Sequence, residues 1–507
     1  MSKTLISNPV IWADVPDVDP IRVGTSYYMV STSMHTMPGC PIMKSEDLMH
    51  WEIAGYVFDR FEDNDAHNLI NGKNIYGQGS WAASLRYHNG LFYVCFSSND
   101  TNCFYIYRTR DVESGQWERS VINGLHHDPG LLFDDDRVYV FFGNGGIRIT
   151  ELTADASAVK PGGINKLLFE TERGGIGLRC EGCHAYKIGG YYYLFFIEWP
   201  RTGNQRRRQI CYRSKKLLGP YERKIVFDDD MGYHNKGIAQ GGIFDTPGGE
   251  WYAMLFQDHD AVGRIPYVLP VSWVEGWPVI GVDGKAPEQF EADLPRSPQK
   301  PLVISDEFDY AENKLAINWQ WNHNPDNRLW SLTERPGYLR LTTGGITDSV
   351  LYARNTLTQR TEGPACVGMI SMDISHMKPG DHAGLVALQN HFGTVGIKIA
   401  ENGDRFVAMC VNGGDGREKA LETIRFDGSR IFLKIAFDFE DSADIADFYY
   451  AADGSNWVRI GGSLEMKYTL DHFMGYRIGL FYYAAKEMGG HADFDYFRYS
   501  RMKEKLQ

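Results

Sequence analysis

The chain has 507 residues, of which 43% are apolar, with 52 Lys+Arg against 65 Asp+Glu and a net charge of −13. At roughly 100–200 residues per domain this is two to four domains, or two large all-β ones, and long enough to bury a full core without staples. The acidic balance excludes a basic nucleic-acid binder, no run of 18 apolar residues offers a membrane span, and 13% aromatics with 54 glycines suit strands and turns.

The segment Met1–Asn8 runs into Pro9 and Trp12 without the apolar stretch of a signal peptide. Eight scattered cysteines (Cys40, Cys95, Cys103, Cys180, Cys183, Cys211, Cys366 and Cys410) form no framework. Together these features predict a cytoplasmic protein with reduced thiols.

Beyond Trp12 a turn followed by an aromatic-rich strand recurs five times. The copies are Gly24-Thr-Ser-Tyr-Tyr28, Gly90-Leu-Phe-Tyr93, Asp136-Arg-Val-Tyr139, Gly190-Tyr-Tyr-Tyr193 and Gly249-Glu-Trp-Tyr252. Anchored on the five tyrosines, the spacings are 65, 46, 54 and 59 residues. Each interval holds about four short strands, the size of a propeller blade. Five copies predict a five-bladed β-propeller over residues 1–290. Residues 291–303, with Pro295, Pro298 and Pro301 among polar neighbours, read as a linker. Alternating strands return over 304–507, as in Gly337-Tyr-Leu-Arg-Leu-Thr and Phe432-Leu-Lys-Ile-Ala-Phe. They predict a second all-β domain, a β-sandwich. No long amphipathic helix is predicted.

Innermost strands line the channel of a propeller, so residues at a constant offset before each anchor converge on one axis. Asp17 and Asp128 lie 11 residues before their tyrosines and Glu181 lies 12 before its own; Trp81 and Gln240 fill the equivalent places, each 12 before. Crowded carboxylates repel, so at least one pKa is expected to rise. Pro16 before Asp17, Pro129-Gly130 after Asp128 and Gly182 after Glu181 break the strand ladder and free each acid to face a cavity. A protonated carboxyl opposite an ionised one is the machinery of glycoside hydrolysis. Trp81, Trp12, Trp199, His35 and Gln240 are placed to supply aromatic faces and polar groups for a sugar. For any one acid, turn capping is the competing reading; the shared offset favours the site. The run Arg206-Arg-Arg208 with Arg213, Lys215 and Lys216 reads as a solvated basic edge.

The chain resembles glycoside hydrolase family 43. The resemblance rests on Asn8-Pro-Val-Ile with Pro16-Asp17, Lys44-Ser-Glu-Asp-Leu48 with Trp51, Trp81, His127-Asp128-Pro129, Glu181-Gly-Cys-His184, Gly276-Trp-Pro278 and Trp319-Gln-Trp-Asn322. It implies an inverting enzyme with Asp17 as general base, Glu181 as general acid and Asp128 tuning and orienting Glu181. It also implies action on α-L-arabinofuranosyl or β-D-xylosyl groups of arabinoxylan- or xylan-derived oligosaccharides. Within Gln257-Asp-His259-Asp-Ala-Val-Gly263-Arg264, Arg264 resembles the family's substrate-binding arginine, with a structural salt bridge as the alternative. No cofactor is implied as required, and a calcium at the propeller centre is optional. Where many members carry a calcium-linked histidine this chain has Ala239-Gln240-Gly241, which leaves His259 as the metal candidate and a hydrogen-bonded channel histidine as the other reading. A non-catalytic carbohydrate-binding propeller is the reading from another class. No membrane partner is expected, and the oligomeric state is left open.

Overall fold

The computed structural model describes residues 3–414 and 417–502. Among them there is no α-helix, only three single 3-10 turns. Five antiparallel four-stranded sheets follow one another in sequence, each formed by one continuous segment. Blade I spans Asp19–Phe58, blade II Ser84–Asn123, blade III Gly130–Glu170, blade IV Ile176–Phe227 and blade V Ala239–Ile280. The first strand of every blade touches the first strand of the next, and that of blade V touches that of blade I, so five inner strands ring the axis. All five anchor tyrosines lie on the second strand of their blade.

Neighbouring blades stack face to face, which explains the apolar runs that failed to alternate. The strands Leu91–Ser98 and Trp251–Asp258 are buried nearly throughout because both faces are covered. Tyr27, Met29 and Met43 pack on Phe244, Met254 and Val268 between blades I and V, and Leu132, Tyr139 and Phe141 pack on Leu194 and Phe196 between blades III and IV. No strand is shared at the closure. Instead Arg22 makes a two-pronged contact with Asp245 (Nε–Oδ1 3.0 Å, Nη2–Oδ2 2.8 Å), and Thr4–Ser7 pairs with Gln289–Ala292 outside the ring. That outer strand straddles the expected 290/291 boundary.

The second domain is a sandwich of two large antiparallel sheets. Its strands do alternate, as in Arg430–Asp438, where every second residue is buried. Leu385, Val395, Val407, Ile478 and Leu480 of one sheet meet Ile370, Leu433, Ile435, Phe448 and Phe494 of the other. The edge strand of the first sheet comes from the propeller: Thr36–Met37, inside blade I, pairs with Gln320–Asn322.

Candidate active site

Asp17, Trp81, Asp128, Glu181 and Gln240 line one pocket, and so does Arg264. The constant offset therefore corresponds to convergence in space. Asp17, Asp128 and Gln240 have positive φ (53°, 47° and 64°), a conformation costly for side chains that concentrates at functional positions. Glu181 sits where the blade IV inner strand slips register against its neighbour on both sides. The next residue, Gly182, has φ 69°, donates its N–H to Asp128 Oδ2 at 2.9 Å, and would drive a Cβ into the side chain of Gln240.

The two sides of the pocket differ. Asp17 Oδ2 accepts from Thr32 Oγ1 (2.7 Å), Oδ1 accepts from Gln240 Nε2 (3.0 Å), and Arg264 Nη1 reaches both oxygens at 2.9 and 3.0 Å. Burial opposes the charge of Arg264, but Asp17, Tyr468 and Asp14 together outweigh it and raise the guanidinium's pKa. Arg264 therefore forms the buried ion pair of the alternative reading, and it does so while lining the pocket.

Opposite stand Asp128 and Glu181 with His127 between them, Nε2 lying 3.1 Å from Glu181 Oε2 and 3.6 Å from Asp128 Oδ2. Asn144 Nδ2 donates to the same Glu181 oxygen at 2.5 Å. Burial pushes the Asp128 carboxyl up to about 7, with the Glu181 and Asp17 charges adding and His127 opposing. His127 itself is held up at about 9, chiefly by Asp128, against its burial. One nitrogen of His127 and one oxygen each of Asp128 and Glu181 lie within 4.8 Å of one another, a group that Asp17 does not join.

The sandwich closes the pocket. Phe473 stacks on Trp81 (5.4 Å, 20°), its carbonyl accepts from Arg264 Nη2 at 3.2 Å, and Tyr468 and Leu470 complete the wall. Asp14 ties the domains together behind it, accepting from Arg264 N at 2.7 Å and Gly475 N at 2.9 Å. None of these sandwich residues was legible as part of a site. His127 and Asn144 also escaped the sequence reading, although His127 adjoins Asp128 in the motif itself.

Four expectations need correction. His35 does not meet the pocket: it is 1% exposed and packs on Tyr76, His323 and His472 in the seam between domains. Its chain turns away because Thr36–Met37 leaves to join the sandwich sheet, and His35 O accepts from His323 N. His259 is no metal ligand by its surroundings. Its Nε2 meets Gln257 Oε1 (2.8 Å) and Tyr267 OH (3.2 Å), its ring stacks on Tyr233, and burial lowers its pKa to about 3. It is hydrogen-bonded as the alternative reading has it, but within a cage of Trp12, Tyr233 and Tyr267 rather than on the channel. The arginine run is not a solvated edge: Arg206 pairs with Asp228 and Asp230, Arg208 with Glu198, while Arg207 lines the pocket, bonded to Asp258 and lying over Trp199. Of the other proposed aromatics, Trp199 lines the pocket at 44% exposure, whereas Trp12 borders a separate cavity of about 480 Å³ that holds none of the three acids.

At the propeller centre the donors do not fit calcium, which takes six to eight oxygens. Asp19 Oδ2 already accepts from Arg86 Nη1 (2.7 Å), Ser84 Oγ (2.8 Å) and Leu85 N (2.8 Å), and Oδ1 meets His184 Nδ1 at 2.8 Å. Burial alone would raise the Asp19 pKa, but Arg86 and His184 outweigh it and hold the carboxyl at about 2. A guanidinium supplies the positive charge there.

The sequence model of Glycosyl hydrolases family 43 matches residues 6–278, and that of the beta xylosidase C-terminal concanavalin A-like domain matches 305–500. A beta-xylosidase of Formosa agariphila is 29% identical over 97% of this chain and 90% of its own length. A non-reducing end alpha-L-arabinofuranosidase of Bacteroides ovatus is 28% identical, covering 81% of this chain and 78% of that protein. Among solved structures, a bifunctional GH43-CE protein of Bacteroides eggerthii superposes with a TM-score of 0.93 and 46% identity over 99% of this chain, which spans 64% of that protein. With the propeller, the three acids and both domain matches in place, the chain belongs to glycosyl hydrolase family 43 and is a glycoside hydrolase.

Proposed function

We propose that the protein is an inverting, exo-acting glycosidase that releases terminal α-L-arabinofuranosyl residues from xylan-derived oligosaccharides. The observation that carries this reading is the division of the acids across one pocket, with Asp17 fixed among donors on one side and Glu181 beside Asp128 and His127 on the other. Glu181 is then the acid that protonates the leaving oxygen, and Asp17 the base that draws a proton from water on the opposite face. Inversion requires the two carboxyls to stand far enough apart to admit that water. The cavity of about 260 Å³ lies below the roughly 300–1,000 Å³ of pockets for drug-sized ligands, which suits one sugar ring held between Trp81, Arg264 and Gln240.

A second reading, release of β-D-xylosyl groups, is supported by the sandwich match to a beta-xylosidase domain and by the name of the Formosa relative. The test is nitrophenol release from the α-L-arabinofuranoside and the β-D-xylopyranoside side by side, with Asp17→Asn as control and NMR of the first-formed anomer. Arabinoside turnover with inversion supports the first reading and dominant xyloside turnover the second. Retention of configuration would defeat both.

A further inference from the structure

Within the reading of Glu181 as general acid, one group has no assigned work: the imidazole of His127. It stands between the two carboxylates of the acid side, with Nε2 at 3.1 Å from Glu181 Oε2 and 3.6 Å from Asp128 Oδ2, and its side chain is 34% exposed. Trp81 flanks it at 6.2 Å and Asn144 donates to the oxygen it faces. The charged groups around it are Asp128 on its own segment, Glu181 from blade IV and Asp17 from blade I, with Arg264 and Arg207 lining the same pocket.

Glu181 Oε2 accepts from Asn144 Nδ2 at 2.5 Å and faces His127 Nε2 at 3.1 Å, so the carboxyl read as the acid shares one oxygen between an amide and an imidazole. Of those two neighbours only the imidazole can take up and release a proton, and it stands one hydrogen bond from the carboxyl. We propose that His127 is the proton store of the general acid, a positioning residue that holds the catalytic proton on Nε2 and hands it to Glu181 Oε2 as the leaving group departs.

The step balances. The Nε2–H bond breaks and the proton passes through the Glu181 carboxyl to the glycosidic oxygen, which also takes the electron pair of the breaking C–O bond. Water supplies the new C–O bond and loses its proton to Asp17. One proton leaves His127 and one arrives at Asp17, and exchange with solvent restores both. Placing the store on an imidazole keeps the pair protonated to higher pH than two carboxyls sharing a proton would allow, in line with the upward shift of His127.

The test has two arms. Histidine-labelled protein titrated by NMR needs no substrate: His127 should titrate well above 6.5 in the wild type, and Glu181→Gln should lower that value by about one unit or more. In the kinetic arm His127→Gln, which keeps a donor but cannot carry the proton, is compared with wild type on a poor leaving group and on a dinitrophenyl glycoside. The expected result is an alkaline limb moved to lower pH and a loss of about tenfold or more at pH 8 on the poor leaving group alone. A His127 that titrates near 6.5 and ignores Glu181→Gln, or equal losses on both leaving groups, would overturn the proposal. A wild type inert on every glycoside would instead defeat the functional reading, with the NMR arm still deciding whether the proton is shared.

Discussion

Asp17 and Asp19 lie two residues apart at the start of blade I, and both are buried carboxylates surrounded by donors, one of them an arginine. The arginine of Asp19 comes from the adjacent blade II, and all four of its donors close around it at the axis. The arginine of Asp17 comes from blade V and leaves the carboxylate facing a pocket walled by the second domain. Burial and hydrogen bonding therefore do not distinguish an acid closed in by the fold from one that faces a pocket. What separates them is whether the donors leave room for a third party.

The sharpest break of this pair is Asp17→Asn, expected to cut kcat by about 10³-fold, since an amide cannot take the proton from water. Glycoside assay and a thermal melt together should show lost turnover with a smaller loss of stability than in Asp19→Asn. The latter strands Arg86 at the axis and should cost about 3–5 kcal/mol by denaturant unfolding. Acid adds a second handle on Asp19. Its folded pKa near 2 lies below the ordinary 3.8, so its contribution is complete above pH 4 and lost as pH falls through 2. Wild type should therefore lose about 2 kcal/mol more than Asp19→Asn between pH 5 and 1.5.

Phe473→Ala tests the third party's wall. Losing the stack on Trp81 should lower kcat/KM by about two- to tenfold and leave the alkaline limb of the pH profile in place. A last effect is expected on stability at His127. Its folded pKa is raised, so its contribution is full below about pH 6.5 and fades as pH rises through 9. The melting point of His127→Ala should thus trail wild type more at pH 6 than at pH 10.

Much of this was readable because blades repeat. The Gly-aromatic turns set the five sheets, and the fixed offset before Tyr28, Tyr139 and Tyr193 brought Asp17, Asp128 and Glu181 to one pocket. Trp81 and Gln240 followed from the same periodicity. The failures lie where the chain leaves that period. His35 is carried off by a two-residue strand that pairs almost 300 positions later, and His259 turns on a 3-10 segment into an aromatic cage. Arg207 looked like one of three equivalent surface charges, yet it lies in the irregular segment just before the strand Arg208–Ser214, where no period reports which side chain enters the pocket. Phe473 belongs to another domain altogether, and no local pattern reports a contact made across some 390 residues of chain.

The borrowed edge strand also has a consequence in time. Thr36–Met37 leaves the ribosome early, whereas its partner Gln320–Asn322 follows about 280 residues later. At roughly 5–20 residues per second, the first blade waits about a quarter of a minute to a minute with a bare strand edge before the partner that covers it exists. Nascent chains are therefore expected to need shielding at that hairpin, and a gene shortened after blade V would make the wait permanent.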